Sequence, residues 1–131
     1  MKPILGLMTL LIIGIFNGCS ESNGSGKSAA EKRRLANVQV TTIANVVNLY
    51  TLDMGQSVPE NNFDLKILLL SPLEGGGPSG PYIEREEDLI DPWGTPFAIQ
   101  IPGKVNDSFD IISWGADGFS GGAGFDEDIT Q

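Results

Sequence analysis

The sequence predicts an α+β domain: one long N-terminal helix packed on a small antiparallel sheet, closed by a C-terminal loop suited to a cation. Three observations predict it. Apolar residues return at three- and four-residue steps between Leu35 and Met54, the period of one helix face. Two later runs, Phe97–Ile101 and Phe109–Ser113, carry the aromatic and β-branched residues and the alternation of short strands. Between Ser113 and Ile129, Asp117, Asp126, Glu127 and Asp128 are interleaved with Gly115, Gly118, Gly121, Gly122 and Gly124. One long helix followed by a segregated set of strands is the order of an α+β fold rather than of alternating βαβ units.

Residues 1–18 read as a targeting segment. Lys2 is its positive end, and Ile4–Phe16 is a largely apolar run of 13 residues. A spanning helix needs ~20 residues, whereas the apolar core of a signal peptide needs ~7–15, so the run fits the second. It ends Ile15-Phe16-Asn17-Gly18-Cys19, a small residue directly before the single cysteine, and this resembles the lipobox of bacterial lipoproteins. The resemblance implies cleavage before Cys19, a lipid on its thiol, and a membrane tether in the cell envelope, with inner or outer membrane left open. A lipidated Cys19 leaves no thiol for a disulfide or for catalysis. Residues 19–28 (Cys-Ser-Glu-Ser-Asn-Gly-Ser-Gly-Lys-Ser) form a flexible tether, and 29–131 form the domain. Gly26-Lys27-Ser28 is not a phosphate loop, because position 21 is Glu where that pattern needs Gly and no strand precedes it.

Charge narrows the partners. Eight basic residues face 17 acidic ones, and removing Lys2 with the leader leaves seven against 17, a net −10. No basic stripe is available for a phosphate backbone, so nucleic acid is excluded as a partner. Histidine is absent, and with it the commonest general base and metal ligand. No nucleophile–base motif is present, and the chain reads as a non-enzyme.

Each element of the domain follows from local chemistry. Ser28-Ala-Ala-Glu31 is a capping box that opens the helix. Leu35, Val38, Ile43, Val46/Val47, Tyr50 and Met54 mark its buried stripe over about 25 residues, and Gly55 with Pro59 stops it. Asn62 caps a second short helix, Phe63–Leu70, ended by Pro72. Glu74–Pro81 is an irregular loop, since glycine and proline alternate too densely for either regular period. Glu84–Asp91 is a solvated acidic face. Asp91-Pro92-Trp93-Gly94-Thr95-Pro96 is a tight turn into the first strand, and residues 102–108 join the two strands as a hairpin.

The last loop carries the candidate site. A hard cation such as calcium takes six to eight oxygens, from carboxylates and from carbonyls that glycine lets turn inward. The loop offers both, and it is not an EF-hand, since the D-x-D-x-D-G core and the flanking helices are missing.

Four separated stretches then carry a resemblance: Leu49-Tyr-Thr-Leu-Asp-Met-Gly55, Gly80-Pro-Tyr-Ile83, Asp91-Pro-Trp-Gly-Thr-Pro-Phe97, and Ser113-Trp-Gly-Ala-Asp-Gly118 with Gly121-Gly122 and Asp126-Glu-Asp-Ile129. In this order they resemble the major pseudopilin of the bacterial type II secretion system, from about Leu35 to Ile129. The resemblance implies the family fold, a long helix on a small antiparallel sheet. It also implies a calcium ion held by the side chains of Asp117, Asp126 and Asp128 and the backbone carbonyls of Trp114 and Phe119, with Asp126 taken over Glu127. Its implied partners are other pseudopilins or secretion-system envelope proteins, on the periplasmic face. The front departs from that family: no Gly-Phe-Thr-Leu-x-Glu occurs, and the apolar run precedes Cys19. Cleavage there would put a lipid where the family has its apolar stem. The expected function is therefore a calcium-stabilised, pseudopilin-like envelope lipoprotein associated with type II protein secretion. The alternative is a diverged periplasmic lipoprotein that serves as an interaction module unrelated to secretion.

Overall fold

The computed structural model describes residues 26–131. The signal-peptide reading of 1–18, Cys19 and most of the 19–28 tether lie outside the described residues.

Helix α1 spans Ala29–Asp53, 25 residues, as its caps specify. The Ser28 hydroxyl accepts the Glu31 amide at 3.2 Å, one half of the expected capping box; the reciprocal Glu31 bond does not form among the described residues. At the other end Gly55 takes φ +70°, the left-handed conformation that stops a helix.

The buried stripe agrees with the expected one at Ile43, Val47 and Tyr50 and departs from it at its two ends. Ala36, Val40, Ile43, Val47 and Tyr50 face the core, while Val38 and Met54 are exposed. The helix carries apolar residues on adjoining arcs, so periodicity alone leaves the contact face open. The fold selects the arc containing Ala36, which is fully buried.

Three strands make the sheet: β1, Ala98–Gln100; β2, Asp110–Ser113; and β3, Ile129–Thr130, in the order β1-β2-β3 and antiparallel throughout. The hairpin expectation holds, with Ala98 opposite Ile112 and Gln100 opposite Asp110. Strand β3 was not expected, because two residues leave no alternation to read. β2 is central and buried along its whole length. Phe109 and Ile111 join the core beneath α1, together with Ile129 of β3.

The second short helix is corrected in type and in cap. It is a 3-10 helix over Leu65–Leu69, capped by Asp64, whose carboxylate accepts the Lys66 amide at 2.9 Å. Five residues offer too few helical hydrogen bonds to favour the α form. Its Leu68 is fully buried, and the Leu68 carbonyl accepts the Tyr82 and Ile83 amides at 2.8 and 3.0 Å. The Tyr82 hydroxyl donates to Asp53 Oδ2 at 2.7 Å, so the intervening loop is pinned to the end of α1.

The acidic run 84–91 is solvated except at its end. Asp91 is buried, against expectation. Its Oδ1 accepts the Trp93 and Thr95 amides at 3.0 and 2.8 Å, closing the turn in which Gly94 takes φ +93°. Its Oδ2 accepts the hydroxyl of Ser113 at 2.8 Å. A buried carboxylate is tolerated here because its oxygens are met by donors.

Candidate cation loop

Loop 114–128 leaves the end of β2 and returns as β3, so both of its ends are set by the central strand. Ser113 is buried at the exit. While its hydroxyl donates to Asp91, its oxygen receives the Gly115 amide at 3.4 Å. The turn before β1 and the start of the loop are thereby held to one another.

The loop folds back on its own backbone. The Ala116 amide donates to the Phe125 carbonyl at 2.9 Å and the Asp126 amide to the Ala123 carbonyl at 3.2 Å. Gly115 lies at φ +70°, and a Cβ there would stand 2.7 Å from the Asp126 carbonyl oxygen. Gly122, at φ +87°, meets the same oxygen at 2.6 Å. These two glycines are required both by conformation and by the close approach of the Asp126 peptide.

The residues read from the sequence are distributed unevenly. Asp117 is exposed, and its Oδ1 accepts the Phe119 amide at 3.0 Å, which brings those two residues together in a local turn. Asp128 is half-buried, and its Oδ2 accepts the Gly121 amide at 2.9 Å, spanning the loop. Asp126 is exposed, Trp114 half-buried, and the Phe119 ring exposed. Among the described residues, no three acidic side chains are grouped closely enough to hold a metal ion by themselves.

One atom bears on the fit of a cation. Asp128 Oδ1 is buried without any hydrogen-bond partner. A buried acceptor with nothing to accept from is costly, and a cation would satisfy it. The all-oxygen donor set is that of a hard cation. On those two grounds the residues present fit calcium.

Glu127 has a different occupation. Its Oε2 accepts from Arg33 at 3.0 Å, and the same guanidinium donates to the Gly124 and Glu127 carbonyls at 3.0 and 3.1 Å. Arg33 thus fastens the far side of the loop to the first turns of α1, using the fork geometry peculiar to arginine. Sequence reading missed Arg33, and no local signal marks it, since its contacts lie more than 90 positions away. Asp91 could have been found: Asp directly before Pro-x-Gly is an Asx-type turn anchor.

Residues 24–131 match the protein family described as type II secretion system (T2SS), protein G. The type II secretion system core protein G of Xanthomonas campestris is 33% identical over 123 residues, covering 94% of this chain and 82% of that protein. That of Pseudomonas aeruginosa is 28% identical over 127 residues, covering 94% and 87%. The Xanthomonas alignment omits so little of this chain that it runs through Cys19 and most of the apolar segment before it. The crystal structure of the major pseudopilin from the type 2 secretion system of enterohaemorrhagic Escherichia coli superposes with a TM-score of 0.59. It is 23% identical and covers 79% of this chain and 84% of that one.

Proposed function

The chain belongs to the type II secretion system protein G family, and from that premise we propose that it is a calcium-stabilised, pseudopilin-like structural component of a type II secretion apparatus. The observation that carries the proposal is the family match over 24–131 joined to the helix-on-sheet fold. The same match favours work in secretion over an interaction module unrelated to it. Its partners are other pseudopilins or envelope proteins of the apparatus, met on the periplasmic face of the membrane.

Calcium would be held by the carboxylates of Asp117, Asp126 and Asp128 and by the carbonyls of Trp114 and Phe119. The ion would supply charge to a loop whose like-charged carboxylates otherwise repel. The chain's own residues prepare the loop: Gly115 and Gly122 let the Asp126 peptide approach, Asp128 offers an unshared oxygen, and Arg33 removes Glu127 from competition. No helix among the described residues is long and apolar enough to cross a membrane, so attachment is assigned to the segment ending at Cys19, through a lipid on that thiol. A second reading has one observation in its favour. The alignment with the Xanthomonas relative runs through Cys19, which suits an apolar segment that is retained and packs as a stem.

One set of strains tests these points: deletion of the gene, complemented with wild type, Cys19→Ala or Asp128→Ala. Wild type alone should restore both export and membrane fractionation, and Cys19→Ala should release the protein into the soluble fraction. Retention of Cys19→Ala in the membrane selects the stem. The purified chain should be more stable in calcium than in chelator by about 2.7 kcal/mol at 100 times the dissociation constant, read as a higher melting temperature, and Asp128→Ala should lose that difference. Export that is unaffected by the deletion refutes a role in secretion, and no melting shift at millimolar calcium refutes the ion.

A further inference from the structure

The basic residues are segregated. Of the seven that follow Lys2, four stand in one stretch, Lys27, Lys32, Arg33 and Arg34, at the start of α1. The remaining three, Lys66, Arg85 and Lys104, are scattered, and the first two are paired with Glu86 and with Glu87 and Asp88. Arg33 is spent on the loop. Lys27 and Arg34 are exposed and line one open furrow on α1 with Glu31, Leu35 and Val38, the last 58% exposed.

A second, independent feature lies at the same end. Arg33 bonds the carbonyls of Gly124 and Glu127, which bracket Phe125 and Asp126, so this part of the loop is held beside the first turns of α1. Phe125 is nonetheless 51% exposed. An exposed aromatic ring and an exposed valine at the same end of the domain as bases without an ion-pair partner among the described residues are the composition of a surface that lies in a headgroup layer.

The length of the chain sets where this surface can be. Lys27 follows Cys19 by eight positions. Eight residues span at most about 30 Å whatever their conformation. With Cys19 at a membrane, the start of α1 is held within about 30 Å of the headgroups, a few Debye lengths. We infer that the α1 start, which carries Lys27, Lys32, Arg34 and Val38, docks the domain, with Phe125 of the adjoining loop, onto a membrane surface bearing anionic phosphate headgroups. The inference rests on the membrane attachment of the proposed function. Glu31 at the α1 start and Asp117, Asp126, Glu127 and Asp128 of the adjoining loop are the acidic groups there, and they oppose the docking; an ion in the loop would reduce that opposition.

Phe125→Trp in the full chain reports insertion through quenching by brominated lipids, measured as the excess over the wild-type chain. The excess should appear with vesicles containing phosphatidylglycerol and be absent with phosphatidylcholine alone. It should vanish in high salt and in the Lys27→Gln/Lys32→Gln/Arg34→Gln variant, with binding weakened about fivefold per neutralised base. Flotation with the neutral vesicles reads the tether on its own, so a failed tether and a failed docking are told apart. Equal quenching in both vesicle types, no excess in either, or burial of the Trp that depends on protein concentration, as a second copy on this face would produce, overturns the docking.

Discussion

Asp110→Ala should be among the costlier single changes in the sheet. Asp110 lies on the central strand and is 1% exposed. Its Oδ2 accepts the Lys104 and Val105 amides, the latter at 2.9 Å, and its Oδ1 accepts the Asn106 amide at 2.8 Å and the Asn106 side chain at 3.0 Å. One carboxylate therefore organises the whole turn between β1 and β2. A hydrogen bond to a charged group contributes about 1.5–3 kcal/mol, and simple summation over four would reach about 6–12 kcal/mol. Lys104, Val105 and Asn106 are exposed, however, so water can reach the freed amides. The sum must be cut well below its lower end, to about 3 kcal/mol, or a melting temperature lower by about 12 °C or more.

The pH dependence carries the sharper test. Burial by itself pushes the Asp110 carboxyl up, but the amides of Val105, Asn106 and Lys104 and the Asn106 side chain outweigh it and hold the group below its ordinary value. A depressed folded-state pKa gives stability that is complete above the unfolded value of about 3.9 and is lost as pH falls through the folded value. The gap between wild type and Asp110→Ala should be full at neutral pH and close progressively below about pH 4. Urea unfolding followed by circular dichroism at a series of pH values measures it. A gap below about 1 kcal/mol at neutral pH, or one that persists undiminished in acid, refutes the reasoning.

Two further outcomes follow from the loop. Gly115→Ala combines a positive φ with a Cβ 2.7 Å from the Asp126 carbonyl oxygen, and should cost about 2–3 kcal/mol; an unchanged urea midpoint would show that the loop yields freely. Arg33→Ala should speed hydrogen exchange at the Ala116, Gly121 and Asp126 amides while leaving Ile111 protected. Arg33→Lys should restore little, because the three donors of an ammonium radiate from one nitrogen and cannot reproduce bonds made from the two separate nitrogens of the guanidinium fork; full protection in the lysine variant would assign the effect to charge alone.

The elements built from neighbours in the chain were legible from the residues. Ser28 and Gly55 bound α1 because a cap and a left-handed stop act within one turn, and the Phe97 and Phe109 runs announced the hairpin through period-two alternation. The four motifs that resemble the secretion family were legible as well, and they led to the fold. The carboxylates of the candidate cation loop could be named from the sequence, but not what each of them does in the fold.

Tertiary structure decided everything that depends on which surfaces meet. The helix presents Ala36 and Val40 rather than Val38 because the sheet, not the local pattern, selects among adjacent apolar arcs. Asp64 takes the cap expected of Asn62, since a turn this short is positioned by Leu65 and Leu68 entering the core. Asp91 and Asp110 are anchors rather than surface charges because the fold brings donors to them. Glu127 is claimed by Arg33 across 94 positions of sequence. Caps, turns and periodicity are short-range and are written in consecutive residues. A carboxylate's role depends on the donors that distant segments deliver to it, and those exist only once the chain has closed.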